Sequence, residues 1–151
     1  MLTIDELKLK IDNNSRLLGL DIGSKNIGVS ICDNKRLIAT PMKVIRFTNL
    51  TELIKDIHKI TLDNNIKGLI IGNPVNMDGT IGKSSQSVKD KSIEISNNLN
   101  IPVALWDERL STVGAFNLAS QLDINVSKKT KNIDKNAAAF ILQGAIDYLN
   151  N

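Results

Sequence analysis

The sequence predicts an α/β fold: a mixed five-stranded sheet, made of an antiparallel three-strand meander plus two parallel strands, flanked by helices. Three observations carry this. Apolar runs over residues 16–21, 26–32 and 36–47 follow one another across short polar turns, as consecutive hairpin strands do. Downstream, stretches with helical spacing alternate with short apolar runs, and each crossover helix returns the next strand parallel. The 151 residues suit one domain, and with 42% hydrophobic but only 3% aromatic residues the core must be aliphatic, as in a buried sheet. A disordered chain is excluded by the same composition.

Taken in order, Thr3-Ile4-Asp5-Glu6 reads as an N-cap followed by first-turn acids, so a short helix is expected over 4–11, broken by Asn13-Asn14-Ser15. Residues 1–15 are therefore an N-terminal extension and 16–151 a single domain. Gly23-Ser24-Lys25 and Asp33-Asn34-Lys35 supply the turns of the meander. Leu53, Ile54, Ile57 and Ile60 recur at helical spacing within 50–62, and Asn64-Asn65 ends that helix. A strand over 67–71 is closed by Gly72. After a polar loop over 73–83 come a helix over 84–99, a fifth strand over 101–106, and helical runs over 112–122 and 135–149. The polar, lysine-rich stretch 123–133 reads as a loop that is mobile or orders on a ligand.

The formal charge of +3 and pI near 9.0 fit a polyanion partner without requiring one. Lys128, Lys129, Lys131 and Lys135 crowd together, which points to a phosphate-bearing ligand or to a solvated loop. No run approaches the roughly 18 apolar residues that span a bilayer, and the charged start does not resemble a signal peptide; a cytoplasmic protein with no membrane partner is expected. Cys32, the one cysteine, lies in an apolar run and reads as a buried core side chain. His58 stands far from any cysteine and reads as a surface helix residue. Gly82-Lys83-Ser84 imitates the end of a phosphate-binding loop, but the pattern requires glycine at position 77, which is Met.

Three acids stand at element boundaries. Asp21 ends the first strand, Glu108 follows the fifth and Asp134 opens the last helix. Sites in open α/β sheets form beyond the carboxyl ends of strands, so Asp21 and Glu108 can meet if their strands are neighbours. Converging carboxylates repel, and a proton or a hard cation relieves them. Each acid also has a plainer role: Asp134 as a helix cap, Asp21 as a turn residue, and one of Asp107 and Glu108 as the partner of a basic side chain. Gly23 lets the backbone turn tightly, and Ser24 and Lys25 offer a hydroxyl and a charge to a phosphate, or simply close a hairpin.

Four segments, Leu20-Asp21-Ile22-Gly23-Ser24-Lys25-Asn26-Ile27-Gly28-Val29, Gly72-Asn73-Pro74-Val75-Asn76-Met77-Asp78-Gly79, Trp106-Asp107-Glu108-Arg109-Leu110-Ser111-Thr112 and Asp134-Lys135-Asn136-Ala137-Ala138, together resemble the YqgF family, also called RuvX. They occur in the family's order and span nearly the whole chain. The resemblance implies a ribonuclease H-like fold and a nuclease that matures the 5′ end of pre-16S ribosomal RNA, related in fold to Holliday-junction resolvases. This chain carries Asn26 and Asn73 where the family often has Arg and Leu.

By the same resemblance, Asp21, Glu108 and Asp134 would be catalytic and bind Mg2+ or Mn2+, as two ions, with Asp107 nearby. Ser24, Lys25, Asn76, Asp78, Gly79, Arg109, Ser111, Thr112, Lys128, Lys129 and Lys131 would contact nucleic acid. The implied partners are structured RNA, pre-16S rRNA within a ribosome precursor, or branched DNA, with the chain a monomer or homodimer. The alternatives are a four-way-junction DNA endonuclease and a non-catalytic rRNA or transcription-complex binding module. The Asp-x-Gly-Ser loop also occurs in sugar kinases and actin-like ATPases, but these pair two such domains around a nucleotide.

Overall fold

The computed structural model describes residues 1–74, 82–110 and 126–151, with the backbone alone at Ser84 and over 126–135. Five strands, β1 (Leu17–Ile22), β2 (Asn26–Cys32), β3 (Ala39–Arg46), β4 (Gly68–Asn73) and β5 (Val103–Asp107), form one sheet in the order β3-β2-β1-β4-β5. β2 runs antiparallel to both β1 and β3, while β4 is parallel to β1 and β5 to β4. The mixed sheet expected from the meander and the crossovers is thus present. Helices α1 (Ile4–Lys10), α2 (Leu50–Asp63), α3 (Lys83–Asn98) and α4 (Val126–Leu149) flank it, and a 3₁₀ turn over Glu108–Leu110 follows β5.

Alternation along the strands divides the core into two layers. Leu18, Leu20, Ile27, Val29, Leu69, Ile71 and Val103 pack with Leu53 and Ile57 of α2 and Val88 and Ile95 of α3. On the opposite face, Leu17, Cys32, Ile70, Ala104 and Trp106 pack with Leu7 of α1 and Ile141, Leu142 and Ala145 of α4. Cys32 is buried as expected, and its Sγ accepts a hydrogen bond from the Leu17 amide at 3.1 Å. α4 lies close because Gly19 has no side chain: a Cβ there would meet Leu142 Cβ at 2.7 Å. Buried Ser30 fixes the contact, its Oγ donating to the Ala138 carbonyl at 2.7 Å.

The N-terminal extension is stitched to the sheet. Thr3 caps α1 with a reciprocal capping box to Glu6, Leu7 is fully buried, and the Leu2 amide donates to the Val103 carbonyl at 2.9 Å. At the far end of α4, the Tyr148 hydroxyl donates to Asp5 at 2.7 Å.

Two elements begin three or more residues from where the sequence predicts. β3 starts at Ala39 rather than 36, because Asp33 Oδ1 accepts from the amides of Leu37 and Ile38 and Arg36 takes a left-handed backbone (φ 53°), which lengthens the turn. α4 starts at Val126, so residues 126–133, expected as loop, are helical. Helix elongation from an anchored segment is cooperative, and lysine is a good helix former, so a polar composition does not by itself end the helix. Asp134 accordingly lies inside α4 and does not open it. The helix expected over 112–122 lies outside the described residues. No helix among the described residues is long and apolar enough to cross a membrane.

Candidate active site

The carboxyl ends of β1, β4 and β5 lie side by side, since the three strands are parallel. Asp21 is the penultimate residue of β1, paired across the meander with Gly28. Its alternation places it on the α4 side of the sheet, two residues beyond Gly19. The chain leaves β5 at Asp107 and turns into the 3₁₀ segment, of which Glu108 is the first residue.

β1 and β5 are not neighbours: β4 runs between them. The carboxylates nevertheless come together, because the intervening β4 position is Gly72. A Cβ at Gly72 would stand 2.8 Å from Glu108 Oε1 and within clashing distance of Ile141 Cδ1, so the Glu108 carboxyl occupies the space that a side chain on β4 would fill. In the sequence Gly72 closes an apolar strand and opens the second of the four motif segments, and a glycine at a strand end is the signal of such a close approach.

The electrostatics follow from this packing. Glu108 is partly buried, and its carboxyl is pushed up to about 7 from an ordinary 4.5, first by desolvation, then by the charge of Asp21 and less by that of Asp107. Asp107 has the opposite fate. Its Oδ2 receives Arg109 Nη2 at 2.6 Å, Arg109 Nε reaches both oxygens at 3.1 Å, and the Arg109 amide donates to Oδ1 at 2.9 Å. The guanidinium holds Asp107 below the usual carboxylate range. Of the adjacent acids, one is paired with a basic side chain and the other joins Asp21; the separation comes from the 3₁₀ turn that begins at Glu108 and not from strand alternation, since β5 ends at Asp107.

The other expected residues are distributed as follows. Ser24 and Lys25 are exposed at the β1–β2 turn, closed by the Gly23 amide donating to the Asn26 carbonyl at 2.9 Å. Arg109 is exposed and bonded to Asp107. Asn73 ends β4 and accepts from Ser85 Oγ at 2.7 Å, tying the β4 end to α3. Asn76, Asp78, Gly79, Ser111 and Thr112 lie outside the described residues, and Lys128, Lys129, Lys131 and Asp134 lie where the backbone of α4 alone is described. His58 is exposed on α2.

Among the described residues no group of three or more potential metal-ligating side chains gathers; Asp21 and Glu108 provide two carboxylates. The donor set fits a hard cation. Two oxygen-bearing groups converge at the strand ends, one is held against its charge by burial, and the glycine below leaves room for its carboxylate.

Residues 15–148 match the family described as RuvX, Holliday junction resolvase. Among curated proteins the chain is similar to one from Pelagibacter ubique (strain HTCC1062), 63% identical over 151 residues and covering all of both chains. It is also similar to one from Cereibacter sphaeroides (strain ATCC 17025), 39% identical over 147 residues, 97% of this chain and 92% of that one. Both bear the name "Putative pre-16S rRNA nuclease". Among solved structures, the fold resembles Thermus thermophilus RuvC in complex with a Holliday junction substrate (TM-score 0.53, 12% identity, covering 89% of this chain and 94% of that one). It also resembles T. thermophilus RuvC solved separately (TM-score 0.50, 11% identity, covering 90% and 96%). The ribonuclease H-like fold expected from the sequence is the one these neighbours share, and the chain belongs to the RuvX family.

Proposed function

We propose that this chain is a metal-dependent nuclease that hydrolyses phosphodiester bonds in processing the 5′ end of pre-16S ribosomal RNA. The observation that carries the reading is the pair Asp21 and Glu108, drawn together over Gly72 with Glu108 pushed up to about 7. Converging acids with a perturbed member at the carboxyl ends of parallel strands are the arrangement a catalytic or metal site uses, and this supports the reading. The family and its curated relatives support a nuclease reading.

Asp21 and Glu108, joined by Asp134, would hold Mg2+ or Mn2+, as two ions. When bound, such cations neutralise the acids and polarise the phosphodiester toward in-line attack by water. The protein's own groups set the conditions. Burial first, and then repulsion from Asp21, keeps a proton on the Glu108 carboxyl up to about pH 7 in the absence of a cation. The Asp107–Arg109 pair keeps a second strong anion engaged beside the site. Ser24 and Lys25, exposed at the turn just beyond Asp21, would meet phosphates flanking the cut, a contact that positions without reading sequence.

The test is cleavage of a labelled precursor 16S 5′ fragment and a four-way DNA junction, side by side, with magnesium, manganese or chelator. Metal-dependent cleavage of the RNA, lost in Asp21→Asn, is the expected result. Cleavage of the junction alone moves the function to a DNA resolvase. RNA binding with no cleavage under any metal moves it to a binding module.

A further inference from the structure

At the end of the sheet opposite the carboxylates, the α1–β1, β2–β3 and α2–β4 connections surround a cavity of about 890 Å³. Arg16, at the entry to β1, lines it. Five residue steps of extended chain separate Arg16 from Asp21, on the order of 17 Å, so the cavity is distinct from the candidate active site. Its walls carry three cations, Arg16, Lys35 and Lys67, against one carboxylate, Asp12; the remainder is asparagine and serine.

The arginine is held in place without being neutralised. Arg16 Nε donates to the Cys32 carbonyl at 2.8 Å and Nη1 to the Asn64 carbonyl at 3.4 Å, and neither acceptor is an anion. The one ion pair among the described residues joins Asp107 to Arg109. Lys35 and Lys67 are exposed, with stems free to close on a ligand, and the asparagine amides add neutral donors. A fixed guanidinium flanked by exposed ammonium groups matches the oxygens of a phosphate. No aromatic side chain lines the cavity, so a nucleobase finds no ring to stack on. The chemistry favours backbone phosphates over a free nucleotide.

We propose that this cavity is a second phosphate-binding site, which takes a stretch of nucleic-acid backbone remote from the scissile bond. The proposal rests on the nuclease reading for its ligand. It implies that a substrate bound at both places is longer than about five stacked nucleotides at 3.4 Å each.

The test is binding of a fluorescent single-stranded RNA to the full chain, followed by anisotropy in chelator across a range of salt. The double variant Lys35→Ala/Lys67→Ala leaves the structural hydrogen bonds of Arg16 intact. It is expected to bind more weakly, with a log–log salt slope shallower by about 1.4, two contacts at about 0.7 each. A control pair of exposed lysines, Lys55→Ala/Lys89→Ala, is expected to retain the parental slope. A parental slope in the first pair, or an equal change in both, overturns the proposal. Saturable binding of AMP to the parent, lost in Lys35→Ala/Lys67→Ala, overturns it in favour of a free nucleotide. The nuclease reading fails separately, through undiminished cleavage by Asp21→Asn, and that outcome leaves the salt-slope result intact.

Discussion

Glu108→Gln isolates the electrostatic argument for the site, because it keeps the side chain's size and removes its charge. Glu108 titrates at about 7 in the folded protein against 4.5 ordinarily. The difference, about 2.5 units at 1.36 kcal/mol each, sets a ceiling of about 3.4 kcal/mol. The carboxyl keeps part of its contact with water, and screening brings the expected effect to about 1–2 kcal/mol. A group whose pKa is raised by folding favours the folded state fully below its unfolded pKa, and that advantage is lost as pH rises through the folded value. The metal-free parent should therefore lose stability between about pH 4.5 and 7, and the glutamine variant should not lose this component. At pH 8 in chelator, Glu108→Gln should melt higher than the parent by about 2–8 °C for a chain of this size; at pH 4.5 the gap should close. Magnesium should raise the parent's melting temperature more than the variant's. Thermal melts followed by circular dichroism across pH decide it. A variant that melts with or below the parent at pH 8 would refute the claim that Glu108 is held against its charge by burial and Asp21.

Three further substitutions probe how the site is built. Gly72→Ala places a methyl group against Ile141 and the Glu108 carboxyl; urea unfolding should show a loss of about 1–3 kcal/mol, with cleavage reduced beyond what the stability change explains. Ser30→Ala removes the hydrogen bond that pins α4 to the sheet, for which about 1 kcal/mol is expected by the same measurement. Leu7→Ala empties a fully buried position under α1 and should cost about 2–5 kcal/mol; a change within a few tenths would mean that the extension is not part of the folding unit.

The strands were legible because each is bounded by residues with a local physical reason to turn, such as Gly23 before Asn26 and Asn64-Asn65 after α2. Hydrophobic period then separates the two layers without knowledge of the fold. Pairing across the sheet was less legible, because strand order is not a local property. The sequence lets Asp21 and Glu108 meet if their strands are neighbours; β4 separates them, and a glycine in β4 makes the meeting possible. That Asp107 and Glu108 divide their roles is read from sequence as strand alternation, but β5 ends at Asp107 and the 3₁₀ turn separates the two. Which acid took which role depended on Arg109 folding back within the 3₁₀ turn.

The role of Asp134 turns on where α4 begins. Read as the first residue after a loop, it had a cap's alternative explanation. An N-cap, however, has non-helical backbone and bonds to amides left free by the helix end. Asp134 stands eight residues after Val126 in a helix that continues to Leu149, where the following amides already have helical partners, so a cap is not available to it. At 3.6 residues per turn, position 134 falls on the stripe of Ala138, Ile141 and Ala145; Ala138 receives Ser30, and Ile141 stands over Gly72 beside Glu108. The proposed function asks position 134 for a third carboxylate. Asp134→Ala separates the two roles. Loss of a cap would cost about 0.5–2 kcal/mol, whereas alanine at an interior helical position is neutral or stabilising by up to about 0.7 kcal/mol. The expected variant is as stable as the parent without metal, gains less from magnesium, and does not cleave. A destabilised variant that cleaves normally would return Asp134 to a structural role and leave Asp21 and Glu108 in need of another partner.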